Sequence, residues 1–185
     1  MRKWLKITLI VLAVILIVLV SLVIILIFDL TSYGATGSKT LNPTGTSIGR
    51  AMVVYDPGFS GAASSDATKI AGDLQARNYT VILAGVRSGA AGNVSGYNII
   101  VAGGPMYWGQ VSSSIDGYVK TVQNNTKLGV FASTGSSSYV ASDLKSLQTQ
   151  VESATHNQNA AVKLIRDGNE TADCADLVSA LVQQG

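Results

Sequence analysis

The residues best suited to chemistry in this chain fall in three stretches rich in glycine and hydroxyls: Asp56 to Ser65, Gly103 to Gly109, and Ser133 to Ser138. The first offers Gly58 and Gly61, where bare backbone lets a ligand approach, and hydroxyls from Ser60, Ser64 and Ser65. A helix follows, with Ser64, Ser65 or Asp66 as its cap, and its free N–H groups and dipole favour an anion. A phosphate monoester fits that description. The second stretch sets Met106, Tyr107 and Trp108 among glycines. Pro105 and those glycines are expected to break a strand ladder, which makes the aromatics a loop surface for stacking or for a partner. The third adds Thr134, Gly135 and Ser136, small groups that can hydrogen-bond the edge of a heterocycle, with Tyr139 just beyond. Asp56, next to Pro57, is read as organising its own turn.

Nothing in the chain suggests a nucleophile or a general acid. There is one histidine, His156, and one cysteine, Cys174, too few for the usual zinc sites or for a hydrolase driven by an imidazole. Cys174 falls on an apolar helical stripe, which predicts a buried structural thiol. Charge points away from nucleic acid. Of the thirteen basic side chains three, Arg2, Lys3 and Lys6, precede an apolar segment, leaving ten against eleven acidic ones. A nucleic-acid partner would need a concentrated basic face.

The elements that must position these stretches alternate in type. Met52 to Tyr55, Thr80 to Leu83, Asn98 to Ala102, Lys127 to Ala132 and Ala161 to Ile165 read as five short strands. Between and after them run helical stripes: Ala67, Ile70, Ala71 and Leu74; then Ile115, Tyr118, Val119 and Val122. Val140, Leu144, Leu147 and Val151 form the next, and Cys174, Leu177, Val178 and Leu181 the last. Strands alternating with helices predict an α/β three-layer doubly wound sandwich on a five-stranded parallel sheet, in the order 2-1-3-4-5. In such a sheet, ligands sit beyond the strands' carboxyl ends where the order reverses. That places the Asp56 and Gly103 stretches together.

Ahead of this domain, residues 7–28 are apolar apart from Thr8 and Ser21, long enough for a bilayer core that needs about 20 such residues. The run exceeds the core of a cleavable signal, so it reads as a transmembrane signal anchor. Residues 1–6 form a basic end that stays in the cytoplasm, and the domain goes outside. Four glycosylation acceptor tripeptides, at Asn78, Asn93, Asn124 and Asn169, agree with export. Residues 29–49, rich in Gly, Ser and Thr, read as a flexible linker, and residues 50–185 as the globular domain.

Several segments together resemble the flavodoxin family. They are Val53-Val54-Tyr55-Asp56, the Ser60-Gly61 turn, Lys69-Ile70-Ala71, Ser95 to Val101, and above all Gly104-Pro105-Met106-Tyr107-Trp108-Gly109. The resemblance spans roughly Ala51 to Gly185. It implies non-covalently bound FMN, with phosphate at Ser60, Gly61, Ser64 and Ser65, and the isoalloxazine between Pro105 to Gly109 and Thr134 to Ser136. It implies electron transfer with a redox partner protein, with an FMN-dependent oxidoreductase as the enzymatic variant. Where the family reads Thr-Gly-Asn-Thr, this chain has Ser60-Gly61-Ala62-Ala63, so two side-chain phosphate ligands are missing. The alternative expectation is an extracellular binding or assembly module on the same fold that has lost FMN.

Overall fold

The computed structural model describes residues 2–31, 35–122, 126–138, 140–155 and 160–183. Tyr139, His156 and the acceptor asparagine Asn124 lie outside the described residues. In chain order the elements are α1 (Arg2–Thr31), β1 (Ser38–Leu41), β2 (Gly49–Tyr55), α2 (Ala62–Ala76), β3 (Tyr79–Gly85) and β4 (Ile99–Tyr107). Then follow β5 (Gln110–Val111), α3 (Ser113–Val119), β6 (Lys127–Thr134), α4 (Ala141–Ala154), β7 (Ala161–Arg166) and α5 (Glu170–Gln183).

The sheet runs β1-β3-β2-β4-β6-β7, with β5 paired to β4. Along β3-β2-β4-β6-β7 each neighbouring pair is parallel, while the short β5 is antiparallel to β4. The central strands are apolar on both faces because both are covered. On one face Ala51, Val53, Val101 and Phe131 pack with Ala67, Ile70 and Leu74 of α2 and Leu177, Val178 and Leu181 of α5. On the other, Met52, Ile100, Leu128 and Val130 pack with Ile115 and Val119 of α3 and Leu147 and Val151 of α4. Cys174 is buried on the α5 stripe, as its spacing predicts, and burial pushes its thiol up to about 12.

Two expectations about the sheet need correction. It is mixed, because residues expected to belong to a flexible linker form β1, antiparallel to β3. The Gly85 N–H donates to the Gly37 carbonyl at 2.8 Å and the Arg87 N–H to the Ala35 carbonyl at 3.0 Å. A Cβ on Gly85 would lie 2.3 Å from the Ala35 oxygen, so glycine there admits the passing chain. The Ser-Lys-Thr-Leu strand has one apolar residue, as suits an exposed edge guarded by a lysine.

The second correction concerns Gly103 to Tyr107, which continue β4 instead of breaking it. Each glycine admits a neighbour: a Cβ on Gly103 would lie 2.2 Å from the Phe131 ring, and one on Gly104 would lie 2.9 Å from Ser112 Oγ. Pro105 is tolerated because β2 stops pairing at Gly103, so the edge that lacks an N–H has no strand beside it. Tyr107 and Gln110 then close a two-residue hairpin through Trp108 and Gly109, both at positive φ, 49° and 81°. That is the geometry tight hairpins favour. The side chain of Gln150 holds its outer edge, accepting from the Val111 N–H at 2.9 Å and donating to the Val111 carbonyl at 3.3 Å.

Candidate functional site

The strands' carboxyl ends bring the β2–α2 connection, the end of β4, the end of β6 and the β7–α5 connection to one edge of the sheet. A cavity of about 260 Å³ opens among them, lined by Ser60, Ala62, Ala63 and Asp66, by Pro105, by Ser133, Thr134 and Gly135, and by Asp167 and Glu170 among others. Four of the residues expected from sequence to touch a ligand therefore meet: Ser60, Pro105, Thr134 and Gly135.

The others lie elsewhere. Ser64 and Ser65 belong to the first turn of α2, which starts at Ala62, earlier than a serine cap would place it. Two alanines, the best helix formers, follow Gly61, whose φ of 72° suits glycine. The Ser60 hydroxyl accepts the Ala62 N–H at 3.2 Å, and the Ser65 N–H donates to the Gly61 carbonyl at 3.1 Å. Gly58 does not wait for a ligand, because its missing Cβ is filled by Pro105, 2.8 Å away. The Asp56 and Gly103 stretches thus pack against each other, and the cavity opens toward β6 and β7 instead of between β2 and β4.

Met106 turns into the core beside α3 and α4. Trp108 is 81% exposed, and its ring lies 6.5 Å from that of Tyr107 at 47°. Both aromatics line a second, shallower depression of about 400 Å³ with Ser113, Asp116 and Gln150. Tyr107 follows Pro105 by two residues in β4, so alternation gives both the same face of the strand. Gly109 is buried against Ser146 of α4. The Ser136 N–H donates to Thr134 Oγ1 at 3.2 Å, and the Ser136 carbonyl accepts the Asp167 N–H at 3.2 Å, tying the β6 and β7 connections together.

The acidic residues were not legible as site residues. Asp66 is only 2% exposed; its carboxylate accepts from Ser133 Oγ at 2.6 Å and lies 3.6 Å from Lys69 Nζ. Burial raises its pKa, against the lowering effects of Ser133 and Lys69. Its sequence signal was its place among Ala63, Ala67 and Ile70, the buried stripe of α2. Glu170 is held below the usual range by the Gly168 N–H, 3.0 Å from Oε1, so it is ionised at neutral pH. Asp56 is fully buried, accepting from the Gly58 N–H at 3.3 Å, from Ser112 Oγ at 3.0 Å and from Ser114 Oγ. It organises its turn and fastens it to the start of α3.

This donor set decides how well FMN fits. The phosphate carries nearly two negative charges and only acceptor oxygens. The wall it would meet holds three carboxylates, Asp66, Asp167 and Glu170, and two alanines where side-chain donors were expected. Arg166, also on that wall, donates Nη2 to Asp173 Oδ1 at 2.8 Å and Nε to Oδ2 at 2.9 Å, and Lys69 pairs with Asp66. The residues present do not fit the phosphate.

An open parallel sheet with ligand-sized space at its carboxyl edge defines a class of α/β proteins, and solved structures narrow it. No family model and no curated protein sequence matches the chain. Its fold is similar to flavodoxin 2 from Bacillus cereus, at a TM-score of 0.55 and 18% identity, covering 74% of this chain and 99% of that one. It is also similar to a flavodoxin from Streptococcus pneumoniae TIGR4, at 0.51 and 12%, covering 74% and 99%. An NADH:FMN oxidoreductase in its apo form matches at 0.57 and 8%, covering 74% and 89%. The chain carries a flavodoxin-like domain behind an apolar N-terminal helix.

Proposed function

We propose that this is a membrane-anchored flavodoxin-like protein that binds a flavin at the carboxyl edge of its sheet and exchanges electrons with a partner protein. The observation that carries this reading is Trp108. An L-residue in the left-handed region costs about 1 kcal/mol or more, and Trp108 recovers little by burial because it is 81% exposed with φ 49°. Strain kept at an exposed aromatic points to a role outside the fold's own stability. Tyr107 and Trp108 offer faces for stacking an isoalloxazine, while Ser60, Thr134 and Gly135 offer hydrogen bonds to the flavin's chain.

A bound flavin would supply one- or two-electron transfer. The residues here bind and orient it and shield one side of it from water. FMN is the form the resemblance implies; riboflavin, which lacks the phosphate this lining does not fit, is tested beside it. A second reading, a flavin-free extracellular binding module, draws its support from the carboxylate-lined cavity and from Ala62 and Ala63.

The full-length protein in mild detergent, titrated with flavins, separates the two. Quenching of flavin fluorescence with a shift of the visible bands is expected, weakened at least tenfold in Trp108→Gly. Unchanged spectra with both riboflavin and FMN would leave the flavin-free module.

A further inference from the structure

We propose that the strand-end cavity selects a flavin without its phosphate, so that riboflavin binds in preference to FMN, with Asp66 and Glu170 as the discriminating residues. This rests on the flavin reading. The argument is one of donors and acceptors. An ionised carboxylate accepts hydrogen bonds and donates none; Glu170 is held in that form by the Gly168 N–H, and Asp66 already acts as an acceptor toward Ser133, so this wall asks its ligand for donors. The hydroxyls of a ribityl chain supply them. A phosphate dianion has none to give and adds repulsion.

The cavity's geometry gives the phosphate little room to avoid this. Asp66 is buried, fixed by Ser133 at 2.6 Å, and cannot swing into solvent. Glu170 faces it from α5, its Oε1 fixed by the Gly168 N–H at 3.0 Å. The cations that could compensate are engaged: Lys69 on α2 with Asp66, and Arg166 at the end of β7 with the buried Asp173. The α2 N-terminus remains favourable to an anion. Its first N–H, that of Ala62, is already taken by the Ser60 hydroxyl at 3.2 Å.

The experiment is a pair of fluorescence-quenching titrations of the full-length protein in nonionic detergent at neutral pH, one with riboflavin and one with FMN. Riboflavin is expected to bind at least tenfold more tightly. Asp66→Asn and Glu170→Gln should each narrow that ratio to about threefold or less, with FMN affinity rising as a carboxylate is removed. Glu170 stands at the surface end of α5, so its variant folds even where Asp66→Asn does not. FMN binding as tightly as riboflavin, or a ratio that neither variant moves, overturns the inference and leaves the flavin reading standing. Binding of neither flavin overturns the flavin reading first, and this inference with it.

Discussion

Single residues set the shape of the β4 end, and two of them make opposite predictions. Trp108 occupies a hairpin position that glycine fills without strain, so Trp108→Gly should raise stability by about 1 kcal/mol, read as a higher urea midpoint, while the proposed flavin quenching weakens at least tenfold. A variant both less stable and unable to bind would make Trp108 an ordinary packing residue. Gly103 is the converse. Its hydrogen faces the Phe131 ring, which a Cβ would approach to 2.2 Å, so Gly103→Ala should cost about 1–3 kcal/mol in the same measurement. Both residues were conspicuous in the sequence. Their reasons were not, because a glycine kept for a flexible loop and one kept for a buried ring look the same in one dimension. The same limit hid Asp66, whose burial depends on β6 and α5 closing over it.

Elements were legible wherever periodicity reports burial. The five apolar runs became β2, β3, β4, β6 and β7, and the four stripes became α2 to α5. What escaped were β1, too polar to signal a strand, the continuation of β4 through Pro105 into the hairpin with β5, and the start of α2, set by a left-handed glycine instead of a hydroxyl cap. At this scale the junction of β7 and α5 makes a pH prediction. Asp173 is 1% exposed and accepts from the Arg166 backbone N–H, Nε and Nη2 at 3.0, 2.9 and 2.8 Å, with Lys163 at 3.5 Å. Burial alone would raise its carboxyl, but these donors outweigh it and hold it below the ordinary 3.8. The folded state then holds the proton more weakly than the unfolded chain. The stabilisation is complete above the unfolded value and lost as pH falls through the lower folded value. Asp173→Asn should cost about 1.5–3 kcal/mol at neutral pH, and its deficit in urea midpoint should shrink in acid. Asp66 has the reverse sign: with a raised folded value, its contribution falls as pH rises from 3.8 upward. The two variants' pH profiles should therefore slope in opposite directions.

At the scale of the whole molecule the question is what covers α1. The segment Lys6–Ile25 is 20 residues, none of them buried, which at 1.5 Å per residue spans about 30 Å, the thickness of a bilayer core. Its two internal hydroxyls are satisfied within the helix, Thr8 donating to the Trp4 carbonyl at 3.0 Å and Ser21 to that of Ile17 at 2.8 Å. An apolar helix with its polar atoms paired and its described side chains exposed is stable in lipid and costly in water. The expected outcome is a protein that stays in the membrane pellet through alkaline carbonate and becomes soluble when residues 7–28 are removed. Orientation rests on Arg2, Lys3 and Lys6. With these in the cytoplasm, protease added to intact cells should digest the flavodoxin-like domain, and changing all three to Glu should protect a substantial fraction of it. A domain protected in the wild-type protein reverses the orientation, and a mature chain shortened through this segment makes it a cleaved signal. A flavin site facing outward would depend on a partner in or beyond the membrane for its electrons, so the protease result also decides where that partner is to be sought.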